Sequence, residues 1–222
     1  MKYTRKVSLV AGLFYLLTFI SIPTLSLYGE VHDPNYMLGN GKDTSVIIGC
    51  ILEIIVALAG IGTAVTLFPI LKRQNESAAI GFVSTRVLEA ATIFVGVTCL
   101  LSVVTLRQSG AGTNAVAVGQ ALVAMYDRTF ILGQNFMPVM NALLLGSLLY
   151  QSRLVPRILP LLGLIGAPLL VAAQVAVLFG FLERISLPVA IATLPIAVWE
   201  LSLGLYLTFK GFKSAPILDY ER

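Results

Sequence analysis

The chain has 222 residues, of which 57% are hydrophobic and only 12% are charged, and its mean hydropathy is +0.90. Because soluble domains carry about 25% charged residues, this composition excludes an ordinary water-soluble protein and predicts one whose main partner is the lipid bilayer. The net charge of +4 is compatible with nucleic-acid binding, but basic residues on a membrane protein more often reflect its orientation, so we expect no nucleic-acid partner.

Six apolar segments, each about 20 residues or longer, predict six transmembrane helices. In chain order they cover residues 7–27, 46–71, 78–106, 129–150, 158–182 and 188–209. We therefore expect an all-α, polytopic integral membrane protein, with a single transmembrane domain over residues 1–222 and its six helices in one bundle. The sequence does not indicate an oligomeric state.

The segments that connect the predicted helices indicate the orientation of the chain. Ten lysine and arginine residues fall on the side that carries both termini: Lys2, Arg5, Lys6, Lys72, Arg73, Arg153, Arg157, Lys210, Lys213 and Arg222. Four fall on the other side: Lys42, Arg107, Arg128 and Arg184. Because cytoplasmic loops carry the excess of basic residues, both termini are expected in the cytoplasm of a multi-pass protein of the inner (plasma) membrane.

Two connections on the less basic side are longer than the others. Residues 28–43 are rich in turn-forming glycine and contain Pro34 and the only histidine, His32, which we expect to be solvated. Residues 107–128 begin with a turn and then resume a helical pattern. This pattern indicates either a short interfacial helix or an extension of the fourth span. Asp127 and Arg128 are interpreted as a solvated helix end.

Four ionisable residues lie within the predicted spans: Glu53, Arg86, Glu89 and Glu200. At 1.5 Å per helical residue, all four fall in the middle third of a hydrocarbon core of about 30 Å. Inserting each of them into the membrane costs roughly 2.5–3.5 kcal/mol, so we expect each to have a structural or functional role. Arg86 and Glu89 share one helical face, and Glu200 has nearly the same depth as Arg86. We predict that Arg86 faces the bundle interior and pairs with Glu89, Glu200 or both.

Polar uncharged residues occur at comparable depth, and with the charged ones they predict a polar chamber near the membrane midplane. The candidate ligand-binding residues are Glu53, Arg86, Glu89, Asn135, Asn141, Trp199 and Glu200. This pattern favours a protein that binds or transports a small or lipid-like ligand. The alternative is a non-catalytic membrane scaffold or regulatory subunit in which these groups only join the helices through hydrogen bonds. A membrane enzyme is a third and more distant reading.

Several enzyme and cofactor classes are excluded by missing motifs. With His32 alone, the chain has no H-E-x-x-H metalloprotease motif and no histidine cluster for zinc or haem, and there is no Walker or G-x-G-x-x-G motif. Cys50 and Cys99 lie in apolar segments without metal-ligand spacing, although a disulfide between them is conceivable. We therefore expect no catalytic residues, no metal site and no cofactor.

Three stretches of the chain carry a resemblance to a known family: "TRVLEAATIF" (residues 85–94), "YQSRLVPRILPLLGLIG" (150–166) and "WELSLGLYLTFKGFK" (199–213). They resemble a bacterial six-helix membrane family catalogued as domain of unknown function 4386. The resemblance implies the six-helix architecture, and it matches Arg86 and Glu200 to charged residues of the family's third and last helices. At Glu89 the family is expected to carry either Glu or Gln. No activity follows from the resemblance.

Overall fold

A computed structural model describes residues 3–33, 35–39 and 41–221; Pro34 of the turn-rich segment lies outside them. Within the described residues the protein is helical and has no β-strand. The α-helices are α1 (Tyr3–Leu17), α2 (Thr24–Leu27), α3 (Asp43–Leu71), α4 (Glu76–Gln108), α5 (Val116–Phe130), α6 (Met137–Ser152), α7 (Ile158–Leu178) and α8 (Leu187–Phe209). Short 3₁₀ turns lie in the connections and near the C-terminus.

Six helical segments are long and apolar enough to cross a membrane, which confirms the predicted all-α, six-span architecture. They are Tyr3–Leu27, Asp43–Leu71, Glu76–Gln108, Gly112–Ser152, Ile158–Leu178 and Leu187–Phe209. Large aliphatic side chains cover their outer faces; in α3, for example, Ile51, Leu58 and Val65 are each more than half exposed. A helix that shows this much apolar surface is stable only where lipid replaces water.

The spans form a closed ring in which each one packs against the next along the chain. In order, α1, α3, α4, α6, α7 and α8 are neighbours, and α8 returns to pack against α1. At one end, Arg5 donates hydrogen bonds to the Leu207 and Thr208 carbonyls, which brings the start of α1 to the end of α8. We call this end the terminal face and the opposite end the distal face.

The fourth span is the longest, at 41 residues, and it is not a uniform α-helix. Between α5 and α6, residues Ile131–Phe136 form a π-helical turn just before Pro138. Proline has no N–H to offer and its ring crowds the carbonyl four residues earlier, so a widened turn relieves the conflict at this point. The helical pattern after residue 107 is thus an extension of this span rather than a separate interfacial helix.

The distal segment between α2 and α3 is packed onto the bundle. Tyr28, Val31 and Tyr36 are each less than 5% exposed. Arg107 at the end of α4 holds the segment from the side, because its guanidinium lies 4.5 Å from the centre of the Tyr36 ring and also pairs with Asp43. The segment therefore forms a cap over the distal ends of α3, α4 and α5.

Candidate functional site

The candidate site is centred on Arg86, whose side chain is only 3% exposed. Its Nη1 donates to Glu89 Oε2 at 3.0 Å, and its Nη2 donates to Glu200 Oε1, also at 3.0 Å. The prediction that Arg86 faces the interior and pairs with one or both carboxylates is confirmed. Glu89 belongs to the same helix as Arg86, whereas Glu200 reaches it from α8, on another side of the ring.

Two further helices complete the surroundings of this arginine. The Tyr15 ring of α1 lies 5.5 Å from the guanidinium carbon, and the Tyr15 hydroxyl accepts a hydrogen bond from Nη2 at 3.4 Å. From α6, Asn141 Nδ2 donates to Glu89 Oε2 at 2.7 Å. Thr85 Oγ1 donates to Asn141 Oδ1 at 2.6 Å, which turns the amide nitrogen of Asn141 toward the carboxylate. We call Tyr15, Thr85, Arg86, Glu89, Asn141 and Glu200 the Arg86 network.

The network carries one formal positive charge and two formal negative charges. A net charge of −1 is costly in a hydrocarbon environment, so protonation of one carboxylate, or a further cation, would be needed to balance it. The side chain of Glu200 is 16% exposed and that of Glu89 is 11% exposed, so Glu200 is the more accessible acid. Arg86 Nε has no hydrogen-bond partner among the described residues. The guanidinium therefore keeps one donor available for a further group.

Glu53 lies apart from this network, in the distal half of α3. Its side chain is buried, and its Oε1 accepts hydrogen bonds from the Tyr126 hydroxyl at 2.8 Å and from Gln134 Nε2 at 3.2 Å. Oε2 is buried without a hydrogen-bond partner in the described part of the chain. Gln134 belongs to the π-helical turn, so the widened backbone presents one polar group to this carboxylate.

The two remaining candidate residues occupy separate places. Asn135 Nδ2 donates to Gln174 Oε1 at 3.1 Å, which joins the π-helical turn to α7. Trp199 is fully buried, and a Cβ placed on Gly163 would lie 2.5 Å from its ring, so the indole packs against the α7 backbone. The structure thus brings Arg86, Glu89, Asn141 and Glu200 together and leaves Glu53, Asn135 and Trp199 outside that group.

Sequence reasoning missed three tyrosine and threonine side chains that complete these clusters. Tyr15, Thr85 and Tyr126 each bond to a predicted polar residue. Each lies among mainly apolar residues, where a hydroxyl group is equally typical of a helix that packs against its neighbours. Thr85 carries the one usable signal, because it directly precedes Arg86 in the sequence.

A second cluster of charges lies on the distal face, and it corrects the expectation that His32 and Asp127 are simply solvated. Asp127 Oδ1 accepts from His32 Nε2 at 3.1 Å and from Arg184 Nη2 at 2.9 Å. His32 Nδ1 lies 2.7 Å from the Tyr28 carbonyl oxygen. The hydrogen bond with Asp127 raises the pKa of His32 above its usual value, although partial burial opposes this.

Cys50 and Cys99 are both buried free thiols, so the conceivable disulfide is not formed. Within residues 3–33, 35–39 and 41–221, no three His, Cys, Asp or Glu side chains are grouped so as to hold a metal ion.

Comparisons with known proteins give one family and nothing closer. Neither the curated proteins nor the solved structures contain a match to this chain. The model of the family described as domain of unknown function (DUF4386) matches residues 10–211, from within the first span to just beyond the sixth. This match covers the helices that carry Arg86, Glu89, Asn141 and Glu200. The chain is a membrane-spanning helical protein that belongs to the DUF4386 family.

Proposed function

We propose that the protein binds a small or lipid-like ligand at the Arg86 network, inside the membrane, and that binding is one step in its transport. The observation that supports this is the sharing of one arginine by two carboxylates from α4 and α8. Holding the helices together would require only one such pair. The second carboxylate adds a charge that is expensive in the membrane and that a binding site can use.

The chemistry of the network suggests how a ligand would enter. A ligand with an anionic group would take the place of Glu200 on Arg86, because Glu200 is the more exposed of the two acids. Glu200 would then accept a proton, so the total charge inside the membrane would not change. Arg86 Nε supplies a donor that no described protein group uses. Binding of the anion would therefore be coupled to uptake of one proton.

The exchange would also loosen the connection between two sides of the ring. The Arg86–Glu200 pair links α4 to α8, which have other helices as their packing neighbours. Breaking this pair removes a restraint across the interior without disturbing the α1–α8 or α3–α4 contacts. A transporter needs such a ligand-dependent restraint to alternate between two states, since a ligand shifts only an equilibrium whose states it binds differently.

The alternative function, a membrane scaffold or regulatory subunit, is favoured by a different observation. Thr85, Asn141 and Glu89 form a continuous chain of hydrogen bonds that ends on Arg86. Polar groups that satisfy one another in this way are sufficient to fix the relative positions of α4 and α6, and the Arg86–Glu200 pair adds α8.

Ligand-induced stabilisation separates the two functions. Thermal unfolding of the purified protein in detergent would be measured with organic carboxylates, organic phosphates, fatty acids and anionic phospholipids. The double variant Arg86→Met/Glu200→Gln removes both charges together, and Glu76→Gln removes an exposed carboxylate as a control. We expect at least one compound to stabilise the wild type and the control but not the double variant. Equal effects on all three proteins, or none, would favour the scaffold.

Transport is tested with the compound that passes this selection. The wild type and the double variant would be reconstituted into liposomes that contain a pH-sensitive dye. We expect addition of the compound to change the internal pH only in liposomes with the wild type. Stabilisation without any proton movement would retain ligand binding and exclude proton-linked transport.

A further inference from the structure

A cavity opens on the distal face, beside the cap that precedes α3. Its volume is about 240 Å³, which suits a small molecule rather than a lipid with two chains. Its lining includes Tyr28, His32, Tyr126, Phe130, Arg184 and Ile185. The cavity is thus mainly apolar, and its two basic residues, His32 and Arg184, come from different connections of the chain.

Three aromatic rings form a continuous wall of this cavity. The Tyr28 and Tyr126 rings meet edge to face with centroids 5.4 Å apart, and the Phe130 ring lies 6.1 Å from that of Tyr126. The tyrosine hydroxyls are engaged elsewhere, because Tyr126 donates to Glu53 and Tyr28 donates to the Cys50 sulfur. The tyrosines therefore offer the cavity their rings, which suit an apolar or aromatic body.

Two cationic donors converge at the rim of the cavity. His32 Nε2 and Arg184 Nη2 both bind the same oxygen of Asp127, at 3.1 and 2.9 Å. The Arg184 guanidinium also lies 5.2 Å from the centre of the Phe130 ring, which keeps it against the aromatic wall. A position for an anion thus exists between the two donors, and a carboxylate of the chain itself fills it.

The bonding of His32 fits the positively charged form of its ring. Nδ1 contacts the Tyr28 carbonyl at 2.7 Å and Nε2 contacts the Asp127 carboxylate, and both partners can only accept hydrogen bonds. A neutral imidazole carries one N–H, so only the imidazolium form makes both bonds at once. The rim then contains two positive charges and one negative charge.

The other charged and titratable groups near His32 have hydrogen-bond partners of their own. On α5, besides Asp127, the Tyr126 ring lies edge-on with its centroid 6.4 Å from that of His32. Asp33 follows His32 in the chain and accepts the Asn35 N–H, and Glu30 accepts the Lys42 N–H. Glu53 lies behind Tyr126 and is not among the lining residues.

We propose that this cavity binds a small organic monoanion, whose carboxylate replaces Asp127 between His32 and Arg184 and whose apolar body lies against the aromatic wall. Asp127 is then an internal competitor that occupies the anion position when no ligand is bound. The anionic group could come from either of two sources. One is the carboxylate of a dissolved aromatic or short aliphatic acid, and the other is the phosphate in the headgroup of an anionic lipid. The site is independent of the Arg86 network.

Benzoate is a suitable probe, and benzamide is its uncharged counterpart of nearly the same shape. Binding to the purified full-length protein in detergent would be measured by calorimetry below the pKa of His32. We expect benzoate to bind and benzamide to bind at least about tenfold more weakly, which corresponds to the loss of one charge-assisted contact. Equal binding of both compounds would overturn the proposal.

The variant Asp127→Asn gives the sharpest test, because a competitor and a purely structural ion pair predict opposite results. If Asp127 competes with the ligand, its removal should tighten benzoate binding by about tenfold, whereas Arg184→Met should weaken it by a similar factor. Glu183→Gln, next to Arg184 but outside the cavity lining, is the matched control and should leave binding unchanged. Unchanged or weaker binding by Asp127→Asn would overturn the proposal.

A second measurement keeps the test valid if the Asp127→Asn protein does not fold. In the wild type, benzoate binding should weaken as the pH rises through the pKa of His32, and His32→Gln should remove this dependence. Binding that does not change with pH in the wild type would overturn the proposal. The variant Arg86→Met/Glu200→Gln should bind benzoate normally, so a failure here is distinct from a failure of the proposed function.

Nanodiscs identify the source of the natural anion. In discs of phosphatidylcholine alone, the wild type should bind benzoate as it does in detergent. If an anionic headgroup is the natural occupant, added phosphatidylglycerol should compete and lower the benzoate affinity. If the occupant is a dissolved acid, the affinity should not change. Both results support the site, whereas absence of benzoate binding in the discs of phosphatidylcholine alone would overturn it.

Discussion

At the scale of single residues, the dominant fact is a guanidinium buried in the membrane between two carboxylates. A buried charge that has lost its partner is far more costly than a buried pair, because nothing then offsets its desolvation. Arg86 is 3% exposed and has partners on both sides, so its removal leaves both Glu89 and Glu200 without a cation. The network should therefore respond to substitutions in a strongly non-additive way.

We predict that Arg86→Met lowers the free energy of unfolding by about 3–5 kcal/mol. The double variant Arg86→Met/Glu200→Gln should lose less, since one of the two stranded carboxylates is removed as well. Thermal unfolding in one detergent would compare the wild type, both single variants and the double variant. Strictly additive losses would show that Arg86 and Glu200 do not interact.

His32 gives the protein a second testable property, a dependence of stability on pH. Its pKa is raised in the folded protein above the ordinary value of 6.5 by the hydrogen bond to Asp127. The stabilising contribution is therefore fully present below about pH 6.5 and is lost as the pH rises through the higher pKa of the folded state.

We predict that the melting temperature of the wild type falls by at most about 2–4 °C across this range, because a partly exposed ion pair contributes little. His32→Gln should remove most of the fall, as measured by thermal unfolding at a series of pH values. A slope of the same size in His32→Gln would assign the pH dependence to another group.

Helical geometry explains which part of the Arg86 network could be predicted. Spacing along one helix places Arg86 next to Glu89, and depth in the membrane places Glu200 at the same level. Neither the spacing nor the depth shows which face of a neighbouring helix points into the bundle. For this reason the contacts of Tyr15 and the separate position of Glu53 follow only from the packing of whole helices.

At the scale of helices, a close approach of two backbones joins α1 to α8. A Cβ added at Gly12 would lie 2.6 Å from the Thr208 backbone nitrogen and 2.8 Å from the Gly204 carbonyl oxygen. Backbone atoms cannot move aside as the end of a side chain can, so any larger residue must push the two helices apart. Small residues at such crossings are a common means of helix association in membranes.

We predict that Gly12→Ala lowers the free energy of unfolding by about 1–3 kcal/mol, since it overpacks a close helix contact. Gly81→Ala is the matched control, because its added Cβ would meet only Leu144 side-chain atoms at 3.5 Å, which is an ordinary contact. The control should be neutral or slightly stabilising. Equal losses in the two variants, in thermal unfolding experiments, would contradict the assigned α1–α8 contact.

The fourth span shows where helix prediction from a sequence stops. Pro138 is expected to disturb the fourth helix, and the structure contains an irregular turn just before it, which includes Gln134 and Asn135. Whether the irregular turn becomes a π-helical turn depends on whether its polar side chains find hydrogen-bond partners. Gln134 finds Glu53 and Asn135 finds Gln174, and both partners come from other spans. Local sequence does not contain that information.

At the scale of the whole molecule, the hydropathy of the sequence is sufficient to predict the six spans. The ring closes because α8 packs against α1, and the bonds of Arg5 to the Leu207 and Thr208 carbonyls place the start of α1 and the end of α8 at one face of the bundle. Which face meets the cytoplasm is not a property of the fold itself. It depends on where the lysine and arginine residues fall in the sequence. Ten of these residues are predicted on the side of the termini and four on the opposite side.

We predict that the terminal face is cytoplasmic, because basic residues near the ends of the spans resist transfer across the membrane. Single cysteines at the exposed positions Gln74, on the terminal face, and Ser109, on the distal face, would report this in a background without Cys50 and Cys99. A membrane-impermeant thiol reagent should label Ser109→Cys in intact cells and Gln74→Cys only after lysis. Labelling of Gln74→Cys in intact cells would reverse the orientation, and the cavity at His32 and Arg184 would then face the cytoplasm.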